Sequence, residues 1–360
     1  MKILIVKLSS IGDCFLATPA IESIRKGYPD SFITWLIEDK SKDVAFLNPN
    51  VDEILVIDKK KFKFKDYLSL IRKIRKFRYD IAIDLQGVDR SAIFSFLSGA
   101  PVRYCVEYAK LGFLCNRKII RRGMPHEHAV NFYLFLAEKS GGAKIDKPQP
   151  ILITLPEDKK FAEDFLKNSF ENVENKIFIG INPTGTWKTK RWPVKYFIEI
   201  SRRLLDYFGD NVCIIIFGGK GEEYLSNEIL QELNSKNAVG AVGKTTLKQA
   251  KELLSKMDYF ITPDSGLMHI AASIAGLKTI ALYGPTDPNL TGPVGKNFTI
   301  LRDNLECAPC FKKGCLVNET DDKNSAESAL CMKGIKPISV FDIIKKDYSI
   351  KNERYSDIRS

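Results

Sequence analysis

Histidine is nearly missing from these 360 residues, with only His126, His128 and His269 present. Three scattered histidines exclude a histidine-based hydrolase and a histidine-rich metal centre. No apolar run reaches the roughly 18 residues of a membrane-spanning helix. The apolar part of residues 1–7 is too short for a signal peptide, so the expectation is a cytoplasmic protein. Internal repeats and low-complexity tracts are missing too. So is the G-x-G-x-x-G spacing of a dinucleotide fingerprint, which leaves the first strand-to-helix turn without that reading.

What is present is basic and globular. Lysine and arginine number 55 against 44 acidic residues, a formal charge of +11, and 44% of the residues are hydrophobic, enough for real cores in about two domains. The surplus points to a polyanionic partner: nucleic acid, an anionic membrane surface or a phosphorylated substrate. Eight cysteines do not make a secreted disulfide scaffold, because Cys14, Cys105, Cys115 and Cys213 are scattered and no export signal accompanies them.

Short β-rich runs alternate with helical ones. Residues 3–6, 32–37, 54–57, 81–84 and 102–105 read as strands, and 15–26, 66–77 and 90–97 as helices between them. That order means a parallel sheet with crossover helices. A polar, proline-containing passage over 140–156 reads as a linker, after which strands resume at 177–181, 213–217, 259–262, 279–283 and 298–301. The expectation is an α/β protein of two Rossmann-like domains across a cleft, residues 1–150 and 151–335, with a C-terminal helix and tail over 336–360.

The segments that carry chemistry sit at the ends of the expected strands. Asp264-Ser265-Gly266-Leu267-Met268-His269 takes a strand into a small-residue helix, where free N–H groups and the helix dipole suit a diphosphate; it is equally an ordinary helix start capped by Asp264 or Ser265. Ser9-Ser10-Ile11-Gly12-Asp13 follows the first strand, so Asp13 is either a base at the rim of the cleft or an N-cap. The loop 182–193 gathers Thr184, Gly185, Thr186, Lys188, Lys190 and Arg191 ahead of Pro193. It can hold a diphosphate and offset the charge of a leaving phosphate, or simply be solvated surface. Gly218-Gly219-Lys220-Gly221-Glu222 forms a further corner, where Glu222 can accept sugar hydroxyls.

Six segments in order, residues 7–13, Asp84-Leu85-Gln86-Gly87, Lys190-Arg191-Trp192-Pro193, Gly218-Gly219 with Glu222, Asp264-Ser265-Gly266 with His269, and Tyr283-Gly284-Pro285-Thr286-Asp287-Pro288, resemble the ADP-heptose:lipopolysaccharide heptosyltransferases of glycosyltransferase family 9. The resemblance implies a GT-B fold, acceptor on the N-terminal domain and nucleotide sugar on the C-terminal one. It implies an inverting heptose transfer from ADP-heptose that needs no metal or other cofactor. It also implies that Asp13 is the general base and that Lys190 steadies the leaving ADP. Ser10, Gly12, Thr186, Lys188, Glu222, Asp264, Ser265, Gly266 and His269 would bind substrate. A transferase of this family with another acceptor or donor is the alternative reading, and a non-catalytic nucleotide- or nucleic-acid-binding protein a remote one. One departure is that Gly185-Thr186 stands where one branch of the family has two threonines.

Residues 59–78 carry ten Lys/Arg against the single acid Asp66, with Leu70, Ile71, Ile74 and Phe77 on one helical face. The apolar stripe suits packing on a sheet and leaves the cations free. With the resemblance, they and Arg117, Lys118, Arg121 and Arg122 are expected to meet phosphorylated lipid A or anionic lipid at the inner face of the cytoplasmic membrane. Nucleic acid is not expected, since no recognition motif accompanies the patch. Finally, Cys307-x2-Cys310-x4-Cys315-x15-Cys331 has the spacing of a four-thiolate zinc or iron site, structural because four sulfurs leave no open position; reduced thiols or an oxidative disulfide fit the same residues.

Overall fold

The structure is a computed structural model that describes residues 1–58, 64–107, 110–120, 127–315 and 329–357; for residues 64 and 351–357 only the backbone is described. The chain forms two compact units, Met1–Thr154 and Leu155–Ser360.

The first unit holds strands β1 (Lys2–Val6), β2 (Phe32–Glu38), β3 (Glu53–Ile57), β4 (Ile81–Asp84), β5 (Val102–Val106) and β6 (Arg117–Ile119). Its helices are α1 (Ile11–Leu16), α2 (Thr18–Gly27), α3 (Lys42–Ala45), α4 (Phe64–Phe77), α5 (Asp89–Leu97) and α6 (Ala129–Lys139). The second unit holds β7 (Ile177–Ile181), β8 (Val212–Ile216), β9 (Ala238–Gly240), β10 (Tyr259–Pro263), β11 (Lys278–Tyr283) and β12 (Phe298–Arg302). Around them lie α7 (Pro156–Ser169), α8 (Val194–Phe208), α9 (Glu223–Leu233), α10 (Leu247–Leu254), α11 (Gly266–Ala272), α12 (Pro288–Thr291), α13 (Leu330–Lys333) and α14 (Pro337–Asp357).

Both sheets are parallel and share one topology. The orders are β3-β2-β1-β4-β5-β6 and β12-β11-β10-β7-β8-β9, so each is a doubly wound sheet whose direction of growth reverses beside its first strand. The central strands are buried on both faces, which explains their unbroken apolar runs such as Ile3 to Val6 and Ile214 to Ile216, all 0% exposed.

The single helix expected over 15–26 is two helices. Pro19 has no N–H to give the Phe15 carbonyl, and the Thr18 hydroxyl takes that carbonyl instead at 2.8 Å, so α1 ends at Leu16 and α2 begins afresh. The basic helix packs as the apolar stripe suggested, with one exchange. Leu70 and Ile74 are buried in the core, with Phe77 and Tyr67, instead of Ile71, packed against them. The cations Lys65, Arg72, Lys73, Arg75, Lys76 and Arg78 stay exposed. Lys59, Lys60, Lys61, Lys63, Arg121, Arg122 and His126 lie outside the described residues. Among the described residues no helix is long and apolar enough to cross a membrane.

Candidate active site

In doubly wound sheets, ligands sit beyond the carboxyl ends of the strands at the point where strand order reverses. In the first unit that point lies between β1 and β4. Gln86, just past β4, spans it: its Oε1 accepts the N–H groups of Leu8 and Ser9, each at 3.0 Å. Asp84 holds the turn beneath, accepting from Gln86 N at 2.8 Å, Gly87 N at 3.0 Å and Ser91 Oγ at 2.8 Å. Gly87 has a φ of 69°, a conformation that favours glycine. Burial pushes the Asp84 carboxyl up to about 6 despite these donors, so this carboxylate serves the loop that carries the site.

Asp13 stands on that loop's far side, in the first turn of α1. Its Oδ2 accepts from Ser10 Oγ at 2.8 Å and Ser10 N at 3.2 Å, while its Oδ1 accepts from the Tyr133 hydroxyl of α6 at 3.1 Å. Asp13 is not the N-cap: Ser10 holds that position, and Asp13 stands at the third residue of the helix. It closes the helix start with Ser10, yet its side chain is only half-buried. Gly12 is buried in α1.

The second unit repeats the arrangement between β7 and β10. Here Asn182 spans the switch point, donating from Nδ2 to Thr262 Oγ1 and Ser265 Oγ, both at 3.1 Å. Its Oδ1 accepts from Thr184 N at 3.1 Å and Thr184 Oγ1 at 2.7 Å. Asp264 is 6% exposed in its side chain, and its Oδ2 accepts from Lys190 Nζ at 2.6 Å and from Thr286 Oγ1 at 2.7 Å. Ser265 is the cap of α11, its Oγ accepting the Met268 N–H at 3.2 Å, which leaves Asp264 to the ion pair. Lys190 also lies 4.7 Å from the Trp187 ring centroid, a cation–π contact that helps hold it on the loop. Lys190 and Thr286 thus meet on Asp264, with Ser265 the next residue in the chain.

The remaining expected residues spread around it. Thr186 and Lys188 are exposed on the same loop; Gly266 opens α11, and His269 is buried within it at 5% exposed. Glu222 is engaged by the protein itself, by Arg191 Nη2 at 2.9 Å and Gly219 N at 3.2 Å. Gly218 is required by packing, because a Cβ there would stand 2.7 Å from Thr184 Cγ2.

The model of glycosyltransferase family 9 (heptosyltransferase) matches residues 67–320, from the basic helix through the Asp264 segment. The chain belongs to glycosyltransferase family 9. This glycosyltransferase is 30% identical over 352 residues to lipooligosaccharide heptosyltransferase 2 of Campylobacter jejuni, covering 96% of this chain and 99% of that one. In structure it matches the family 9 glycosyl transferase of Veillonella parvula with a TM-score of 0.78 at 25% identity, over 96% of each chain. It also shares the fold of the E. coli ADP-heptose heptosyltransferase II, TM-score 0.75 at 21% identity over 96% and 98% of the two chains. The enzyme therefore has the two-sheet GT-B architecture.

Sequence reasoning named Asp13, Lys190 and Asp264 but gave no role to Tyr133, Gln86, Asn182 or Thr286. Gln86 and Thr286 lay inside quoted segments, so their polar side chains at strand ends were the available signal; Tyr133 left none.

The cysteine segment also touches the loops that follow β7 and β11. All four cysteines line one small cavity together with Thr189 and Pro285. Thr189 Oγ1 donates to the Lys312 carbonyl at 2.9 Å, and Phe311 N donates to the Pro285 carbonyl at 2.7 Å. Burial, then Cys315, Cys310 and Cys307, push the Cys331 thiol up to about 12. Among the described residues no three His, Cys, Asp or Glu side chains are gathered so as to hold a metal ion as they stand.

Proposed function

We propose that this enzyme moves heptose from ADP-heptose onto the inner core of lipopolysaccharide, on Kdo-lipid A or the first core heptose, with inversion and without a catalytic metal. The observation that carries the reading is the pair of equivalent switch points, one presenting a half-buried carboxylate and the other a cation. The full-length similarity to a lipooligosaccharide heptosyltransferase supports the choice of sugar and acceptor class.

In this mechanism the first unit takes the acceptor and the second the nucleotide sugar. Asp13 accepts the proton of the acceptor hydroxyl as its oxygen bonds to the anomeric carbon. The bond from that carbon to the phosphate oxygen breaks on the opposite face, and ADP leaves with the electron pair. Lys190 offsets the negative charge that builds on the diphosphate, with Ser265 and Gly266 supplying donors beside it and Thr186, Lys188, Glu222 and His269 completing the donor surface. Ser10 and Gly12 form the acceptor side of the Asp13 turn.

The exposed cations of α4, with Arg117 and Lys118 on β6, support contact with phosphorylated lipid A or the anionic inner leaflet, each contributing about 1 kcal/mol near such a surface. Phe113 at 69% exposed and Ile120 at 61% flank the β6 cations and suit the apolar edge of such a surface. Co-sedimentation with anionic vesicles should fall sharply when four of these charges are reversed; undiminished binding refutes the patch. The shared cavity supports a structural zinc or iron at Cys307, Cys310, Cys315 and Cys331, where binding would have to draw the thiols inward. Elemental analysis of anaerobically purified protein without stoichiometric metal refutes that site.

The reaction itself is tested by mass spectrometry of heptose-free Kdo-lipid A and of a mono-heptosyl acceptor, each incubated with ADP-heptose and enzyme. A gain of one heptose on either confirms the reaction and assigns the core position. No gain on either, with ADP-heptose bound, moves the enzyme to another acceptor.

A further inference from the structure

Lys7, the residue after β1, carries an ammonium and is only 1% exposed, and among the described residues it makes no ion pair. Its bonds go to the Ser9 carbonyl at 3.2 Å and the Tyr133 hydroxyl at 3.0 Å. A buried ammonium is costly unless its protons are placed, so this position has a reason beyond packing. Lysine can only donate, which fixes the direction of the chain of bonds. Tyr133 oxygen accepts from Lys7, and its own proton goes to Asp13 Oδ1 at 3.1 Å. The hydroxyl is therefore polarised by a cation on one side and delivered to a carboxylate on the other, which strengthens it as a donor. With Ser10 holding Oδ2 through two bonds, both carboxylate oxygens are anchored and the half-buried side chain cannot turn freely.

We propose that Tyr133, backed by Lys7, is a positioning residue for proton abstraction: it fixes the plane of the Asp13 carboxylate without touching substrate. The proposal rests on Asp13 being the base. Tyr133 comes from α6, more than a hundred residues from Asp13, so the fold alone creates the pairing. Because its ring is 7% exposed and packed, Tyr133→Phe deletes the hydroxyl while keeping the ring.

The test compares Tyr133→Phe, Lys7→Met and Asp13→Asn by steady-state heptose transfer and by ADP-heptose titration. Tyr133→Phe should lower kcat by 10- to 100-fold with KM for both substrates and ADP-heptose affinity within twofold of the parent. Lys7→Met should do the same, and the double variant should be no worse than the poorer single one, since both act through one hydroxyl. An unchanged kcat for Tyr133→Phe, or a change confined to KM, overturns the proposal while an inactive Asp13→Asn leaves the base reading intact. An active Asp13→Asn overturns both. Should Tyr133→Phe fail to fold, as read by thermal unfolding, Lys7→Met is judged by the same kcat and KM criteria.

Discussion

The two switch points share a topology and differ in how each treats its carboxylate. In the first unit Asp13 is half-buried and accepts from the Ser10 hydroxyl and amide and from the Tyr133 hydroxyl. In the second, Asp264 is buried and tied to the Lys190 ammonium. Each unit also uses a side-chain amide to span the gap between neighbouring loops, Gln86 in one and Asn182 in the other. The scaffold is repeated, then, while the donors differ. Asp13 takes hydroxyls and an amide, whereas Asp264 takes the Lys190 ammonium and the Thr286 hydroxyl.

The sharpest way to break that contrast is Asp13→Asn, which should lower heptose transfer by about 10²- to 10⁴-fold while titration shows donor affinity nearly unchanged. If donor affinity falls as well, the two points do not divide acceptor and donor chemistry. Next comes Lys190→Ala, which leaves Asp264 buried without its cation and should cost about 3 kcal/mol of stability in urea unfolding. Adding Asp264→Asn should restore much of that stability without restoring transfer. Restored transfer would show that the lysine serves Asp264 alone.

A third test uses pH. Burial raises the folded-state pKa of Asp84 to about 6, above the unfolded value near 4, so the protonated form is favoured by folding. Its contribution to stability is fully present below about pH 4 and is lost as pH rises through about 6, a span on the order of 3 kcal/mol. Asp84→Asn should remove that slope from urea midpoints measured across the window. The smallest expected effect is Gln86→Ala, which strands the Leu8 and Ser9 N–H groups and should cost about 1–3 kcal/mol. The corresponding Asn182→Ala should cost a similar amount, and a large inequality between them would show that the two braces are not equivalent.

Much of the fold could be read from pattern because parallel central strands are apolar on both faces. β4 and β7 match the expected bounds, and the other central strands differ by a residue or two. The edge strands β6, Arg-Lys-Ile, and β9, Ala-Val-Gly, carry no such run, since an edge is partly solvated and short. The helix over 15–26 broke at Ala17 because one missing N–H at Pro19 outweighs a continuous apolar face. His128 caps the start of α6, its Nδ1 accepting from Val130 N at 3.3 Å.

Local order along the chain determined the strands, the crossover helices and the charged residues at strand ends, including Asp13, Lys190 and Asp264. These depend on periodicity and on neighbours a few residues away. Tertiary structure alone decided which donor meets which acceptor: Tyr133 with Asp13 across 120 residues, Lys190 with Asp264 across 74, and Gln86 with Leu8 across 78. A hydrogen bond acts over about 3 Å, and nothing in the chemistry of a tyrosine or a glutamine encodes which distant strand end the fold will bring that close.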